Sequence, residues 1–290
     1  MMVVPFAAMH LIAIFGAWHV GFRWEWLAVA IGFFYLRMFG ITAGYHRYFS
    51  HRSFETSRWF AFVLAFLGSS AAQKGVIWWA GHHRDHHKYS DQTEDIHSPV
   101  QKGFWQSHVG WILGAEYDGV KWHNMKDFAQ YPEIRFIQNY WLITPVSWGV
   151  LFFYIGGWPL LVWGLFVSTV ALYHATFTIN SLSHVFGKRR YKTTDTSRNN
   201  WMLALLTMGE GWHNNHHYYQ ASVRQGFYWW EIDMSYMILK VLSWFGIVWN
   251  LKVPPERVLN QNRYTADELA AWRQDSVLTA PAIPAPVEAN

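Results

Sequence analysis

Apolar residues along this chain gather into long runs, and the segments between them are dense in His, Asp, Lys and Arg. The first run covers about Val3 to Val20 and the second about Trp26 to Ala43, with Gly21, Arg23 and Glu25 in the short link. Each is about 18 residues, near the lower limit for crossing a hydrocarbon core of about 30 Å at about 1.5 Å per residue. The short link predicts an antiparallel helical hairpin. A second hairpin is predicted much later, with arms at about Asn139 to Ile155 and Trp158 to Ile179 and a reversal at Gly156-Gly157-Trp158-Pro159. A fifth run, Trp59 to Ala80, contains Ser69, Ser70, Gln73 and Lys74 and leads straight into His83. If it spanned, the histidine groups at its two ends would lie on opposite sides of the membrane. It is therefore read as a helix on or in the interface.

Composition sharpens this into a mixed architecture. The chain is 52% hydrophobic and only 14% charged, against about 25% charged in a soluble domain. Mean hydropathy is nevertheless only −0.02, too low for spanning helices alone. The expected fold is an all-α integral membrane protein: four transmembrane helices in two hairpins carrying a helical cap. Residues 1–275 form one domain, with the cap at 44–138 and 180–275, and the Ala/Pro-rich tail 276–290 is expected to be disordered. The 20 Trp and 15 Tyr suit a membrane boundary or the lining of a pocket for a long apolar molecule.

Charge placement orients the chain. Ten Lys or Arg lie between Gly44 and Gln138, eleven follow Asn180, and only Arg23 and Arg37 fall elsewhere. With four spans, both basic segments and both termini lie on one side, the cytoplasmic side by the positive-inside rule. The first run lacks a basic leader and reads as a span rather than a cleavable signal. Arg37, near the end of the second run, is expected to snorkel to the interface. No basic stripe stands apart from the histidine motifs, which argues against nucleic acid. Without cysteine there is no disulfide, Cys-based zinc site or iron–sulfur cluster.

The candidate chemistry is in the histidines. Nine of the sixteen fall into four clusters: His46 and His51 in GYHRYFSH; His83, His86 and His87 in HRDHH; His184 in NSLSH; and His213, His216 and His217 in GEGWHNNHH. Neutral imidazole is a ligand for iron, copper or zinc, and nine are too many for one ion. On a helix, His83 and His87 are i and i+4 and share a face, while His86 is turned toward a neighbouring ion. HNNHH repeats this geometry. His46 and His51, at i and i+5, converge only if their helix ends or unwinds between them. One such cluster could be ordinary interfacial polarity; three in this order, beside hydrophobic hairpins, leave that reading little room. The remaining histidines, His10, His19, His82, His97, His108, His123 and His174, lack partners at ligand spacing. His97, Asp85, Asp91, Glu94, Asp95 and Glu210 are candidates to support the ligands from behind, or are solvated loop charges.

The motifs HRYFSH, HRDHHKYSD, NSLSHVFG, GEGWHNNHH and RQGFYWWEID resemble the membrane fatty acid desaturases, in particular the Δ9 acyl-CoA (stearoyl-CoA-type) branch, over most of the chain up to about Pro254. The resemblance implies a cytosolic cap holding two irons (Fe²⁺). One iron takes His46, His51, His83, His87 and His216. The other takes His86, His184, His213 and His217, with a water held by Asn180. It implies O₂-dependent insertion of a cis double bond into a long saturated acyl thioester lying in an enclosed tunnel. The tunnel is expected to be lined by Trp78, Trp79, Phe177 and Trp212, with Gln73 and Lys74 near the acyl carrier. Lys74 stands where eukaryotic members usually have Asn, and Gly81-His82 where they have Arg-Asp, which leaves the carrier open between CoA, acyl-carrier protein and intact lipid. Activating O₂ against an unactivated C–H bond calls for metal chemistry, so no Asp or Glu is expected to act as a catalytic base. No HPGG-type haem motif is present, so an external ferredoxin- or cytochrome-type donor is expected to dock on the cap, in a bacterial inner membrane. Two other readings share some of these features: a membrane di-iron hydroxylase of alkane or carotenoid type, and a histidine-rich protein that stores or moves metal. Transporters place ligands within spans, whereas these clusters sit at span ends.

Overall fold

The computed structural model describes residues 3–278. Helices Val3–Val20 and Trp24–Phe39 occupy the first two apolar runs. Gly21, at φ +76°, turns the chain between them in the left-handed region that glycine enters freely. The second helix does not stop at Ala43. Its hydrogen bonding widens to the π pattern over Gly40–Ser50, and the continuous helix Trp24–Ser50 is 27 residues long. At about 1.5 Å per residue that reaches up to roughly 40 Å, longer than a hydrocarbon core of about 30 Å is thick.

The run Trp59 to Ala80 is not one interfacial helix. It forms two helices, Arg58–Ser69 and Val76–Tyr89, broken where Ala72 and Lys74 take φ of +57° and +67°. The break falls on the polar residues of the run. Ser57 caps the first helix by accepting from the Phe60 amide at 3.2 Å. This helix crosses the π segment so closely that a Cβ on Gly40 would stand 2.5 Å from the Gly68 nitrogen, and one on Gly68 would strike the Tyr45 ring. The second helix starts the cap and carries HRDHH.

The late hairpin forms, with different boundaries from those expected. Pro132–Asn139 is a separate helix. The first arm begins at Ile143 and breaks at Gly157, whose φ and ψ are 63° and −154°. The return arm runs through a π-helical turn, Val162–Val167, into Ser168–Asn180. A Cβ on Gly149 would meet Leu165 at 3.1 Å, and one on Gly164 would meet Phe152 at 3.1 Å, so the arms lie side by side. The first arm has about 14 helical residues, roughly 21 Å, which is short of a full crossing. Among the described residues, three helical stretches are long and apolar enough to span a membrane: Val3–Val20, Trp24–Ser50 and Ile143–Val185, the last of which is bent at Gly157.

Arg37 does not snorkel. It is fully buried: Nη1 donates to Thr169 Oγ1 at 2.6 Å and to the Ser70 carbonyl at 3.2 Å, and Nη2 donates to Ser168 Oγ at 2.6 Å. Three chain segments are thereby tied by one guanidinium, and the acceptors that water would offer come from within the bundle. The two cap segments are joined by the short antiparallel pair Glu55–Thr56 and Val248–Trp249, with Glu55 opposite Trp249. Ala266–Leu278 is the last helix. It takes in the first three residues of the tail expected to be disordered, and the rest of that tail lies outside the described residues.

Candidate metal centre

Local geometry decides how the histidines meet. His83, His86 and His87 lie on Val76–Tyr89, and His213, His216 and His217 on the short helix His213–Tyr218. His184 lies in the single turn Leu182–Val185. His46 and His51 converge because the helix widens rather than ends: the His51 amide donates to the His46 carbonyl, five residues back, at 3.2 Å. Their rings come within 4.8 Å, centroid to centroid.

The nine rings form two nests. His46, His51, His83, His87 and His216 make one, and His86, His184, His213 and His217 the other; within each, the ligand nitrogens all lie within 4.8 Å of one another. In the first nest, Nε2 atoms face Nε2 atoms at 3.0 Å for His46–His216, His51–His83 and His83–His87, and at 2.8 Å for His87–His216. In the second, His184 and His213 approach at 3.1 Å through the same atoms. A metal–nitrogen bond of about 2.1 Å puts neighbouring ligands of an octahedral site about 3.0 Å apart. The spacing is that of the edges of a coordination polyhedron. Burial first, and then the neighbouring histidines, hold His51, His83, His87, His213 and His216 well below the ordinary imidazole range. Those rings are neutral and each has a lone pair to offer. The donor set fits two metal ions.

Carboxylates hold the rings from behind. His46 Nδ1 donates to Glu210 Oε2 at 2.5 Å, His86 Nδ1 to Asp95 Oδ2 at 3.0 Å, His184 Nδ1 to Asp91 Oδ2 at 3.3 Å, and His217 Nδ1 to Asp195 Oδ2 at 2.7 Å. Each bond places the ring proton on Nδ1 and leaves the Nε2 lone pair turned inward. Glu210 is itself fixed by Arg47, whose Nη2 donates to it at 3.0 Å and whose Nη1 reaches Asp233 at 2.9 Å. Of the sequence candidates, Asp91, Asp95 and Glu210 take this role. Asp85 instead accepts from Asn124 at 2.6 Å, and Glu94 from Thr93 at 2.9 Å. His97 is buried beside Asp95 and lines the adjoining cavity. Asp195 is the residue that the sequence reading missed. It lies 22 positions from His217 in the loop KTTDTS, where no spacing rule connects the two. Burial raises the Asp195 carboxyl, but His217 and the hydrogen bonds from Ser197 together outweigh it and hold it well below the usual carboxylate range.

A cavity lined by His46 and His83 of the first nest and His213 of the second adjoins both nests. Gln73, Trp78, Trp79, Phe177 and Asn180 line it. Gln73 is held by its bond to Thr176 Oγ1 at 2.7 Å. Lys74 and Trp212 do not line it. The Lys74 ammonium pairs with Asp118 and sits 4.1 Å over the Trp78 ring, and Trp212 donates to the Ile232 carbonyl at 2.8 Å. The other histidines join neither nest. His10, His174 and His108 instead form a chain of their own: His174 Nε2 lies 3.0 Å from His10 Nε2, and His108 Nε2 lies 3.1 Å from His174 Nδ1.

A family model described as fatty acid desaturase matches residues 24–251. The chain belongs to the fatty acid desaturase family. The desaturase is 41% identical over 258 residues to the sn-1 stearoyl-lipid 9-desaturase of Synechocystis sp., covering 88% of this chain and 80% of that one. It is 40% identical over 256 residues to the sn-1 stearoyl-lipid 9-desaturase of Anabaena variabilis, covering 87% and 93%. An acyl-CoA 5-desaturase of Anemone leveillei is 37% identical over 240 residues, covering 81% and 74%. The expected acyl-CoA desaturase is thus supported as a desaturase, while the first two relatives favour the lipid-linked alternative over CoA as the carrier.

Proposed function

We propose that this desaturase introduces a cis double bond, at the Δ9 position, into a saturated long acyl chain esterified to a membrane lipid. The observation that carries the reading is the pair of histidine nests opening onto one largely apolar cavity. The carrier is taken from the names of the most similar relatives. When bound, two irons supply the O₂ reduction that an unactivated C–H bond requires. His46, His51, His83, His87 and His216 would hold one, and His86, His184, His213 and His217 the other, and Asn180, which lines the same cavity, would support a water at the second. Glu210, Asp91, Asp95 and Asp195 fix the tautomer and aim of their rings. Trp78, Trp79 and Phe177 exclude water and hold the chain against the nests. Gln73, bonded to Thr176, is one polar group at the cavity wall. One O₂, two electrons and two protons are consumed as two hydrogens leave adjacent methylenes, giving the alkene and two waters. The electrons come from an external ferredoxin- or cytochrome-type donor docking on the cap. The apolar helices sit in a bacterial inner membrane with the nests on the cytoplasmic side.

The test is expression in a cell lacking Δ9 unsaturates, with labelled stearate chased into lipid before induction. The reading expects labelled cis monoenes in intact glycerolipids. Hydroxy acids would point to the hydroxylase, and monoenes appearing first in the CoA pool would overturn the carrier.

A further inference from the structure

Outside the metal centre, the helix Met234–Trp244 carries an unpartnered apolar surface. Its inner face is set by Ser235 and Leu239, both fully buried. Its outer face exposes Met237, Ile238, Val241 and Trp244, and Phe245 continues the stripe just past the helix end. These positions follow the i, i+1, i+4, i+7, i+8 spacing and cover about 120° of the helix surface. Nothing among the described residues covers them. Lys240 lies exposed on one flank of the stripe, and the helix has no acidic residue.

Two observations give the height of this helix. Ser235 Oγ lies 2.6 Å from Thr42 Oγ1, and Thr42 is well inside the apolar helix Trp24–Ser50. The neighbouring cap helix Trp201–Leu206 exposes Trp201, Met202, Leu205 and Leu206. Leu206 also lines the outer groove between the second helix and the return arm, together with Leu27, Phe34 and Val167. The Ser235 amide donates to the Met208 carbonyl, two residues past Leu206, at 3.0 Å, so the start of the exposed helix lies next to that groove.

We infer that Met234–Trp244 is an in-plane membrane helix, with its Met237–Val241–Trp244 stripe immersed in the headgroup–acyl boundary and Lys240 reaching anionic headgroups. Such helices enter the boundary by about 5–10 Å, and Trp at its edge is the usual aromatic anchor. The seat also bears on the metal centre. Asp233 caps this helix by accepting from the Tyr236 amide at 3.0 Å, and it holds Arg47, which holds Glu210 and through it His46. The bilayer thus braces one wall of the first nest.

The inference rests on the membrane-spanning reading, and one experiment separates the two. The chain has no cysteine, so single substitutions Met237→Cys, Val241→Cys and Trp244→Cys accept a nitroxide label without background. The full-length protein is placed in phosphatidylcholine vesicles containing phosphatidylglycerol. Collision with oxygen is compared with collision with a water-soluble nickel chelate. Ile14→Cys on the first helix is the bilayer reference and Lys126→Cys on the cap the water reference. The expected result is oxygen-dominated collision at 237, 241 and 244, shallower than at 14. Nickel-dominated collision at those three positions, with 14 still in lipid, overturns the inference alone. Nickel-dominated collision at 14 as well overturns the membrane reading with it. Dipolar broadening at 241 that is abolished by diluting with unlabelled protein shows a second copy on the stripe and also overturns the inference.

Discussion

Replacing Asp195 with Asn removes a charge while keeping the shape of the side chain, and it tests how the second nest is held. The His217 and Asp195 side chains are 1% and 5% exposed, and the bond between them is 2.7 Å. In Asp195→Asn, the Oδ1 position still accepts from the Ser197 amide, now at 2.9 Å, so the loop keeps its turn. The amide nitrogen, however, takes the place of Oδ2 and presents N–H to Nδ1. His217 is then driven to the tautomer with its proton on Nε2, the nitrogen that faces the metal. Loss of an outer partner of this kind costs about 10–100-fold in metal affinity, or about 1.4–2.8 kcal/mol. The assay is iron per chain after equilibration with graded chelator, with circular dichroism as the check on folding. The variant is expected to lose one iron at roughly ten times less chelator or lower still, while the five-histidine site keeps its own. Asp85→Asn, whose partners are Asn124 and Lys121, is expected to match the wild type. A folded Asp195→Asn protein with an unchanged chelator curve would refute the tautomer reasoning.

Other outcomes follow from the same geometry. His86→Ala is expected to abolish activity and reduce bound iron. His10→Ala is expected to keep both while losing its bonds to His174 and to the Phe6 carbonyl, about 1 kcal/mol of stability for each, read from chemical denaturation. Gly68→Ala forces a methyl into the Tyr45 ring and is expected to destabilise by about 1–3 kcal/mol; an unchanged melting midpoint would show that the helix crossing is looser than described. In the metal-free protein, Asp95 and Asp195 are raised by burial but lowered further by their partners taken together, His86 and His97 for Asp95 and His217 and Ser197 for Asp195. The stability from such depressed carboxylates is complete above their unfolded value of about 3.9 and is lost as pH falls below it. Melting temperature should therefore fall below about pH 4, less steeply in Asp195→Asn.

What could be read from the sequence was whatever a single helix determines. His83 and His87 share a face and His86 leaves it in any α-helix, and the same holds for HNNHH, so the division of each cluster was legible before any fold was known. The convergence of His46 and His51 was legible only as a requirement. Apolar periodicity carries no sign that Gly40–Ser50 takes the π pattern that meets it. Arg37 resembled a snorkelling cation because its acceptors, Ser168 and Thr169, lie 131 and 132 positions away. The break at Ser70–Gly75 could have been placed from its Ser, Gln and Lys residues, since their polarity interrupts an otherwise helical run. Asp195 depended on a loop folding back over the second nest, which no local pattern encodes.

The most direct measurement is the iron content of the purified protein, reconstituted anaerobically with Fe²⁺, beside the same measurement on His216→Ala and His213→Ala. Two nests predict two irons per chain in the wild type and preferential loss of a different one in each variant. A single iron per chain, or equal loss of both from either substitution, would contradict the five-and-four division of the histidines.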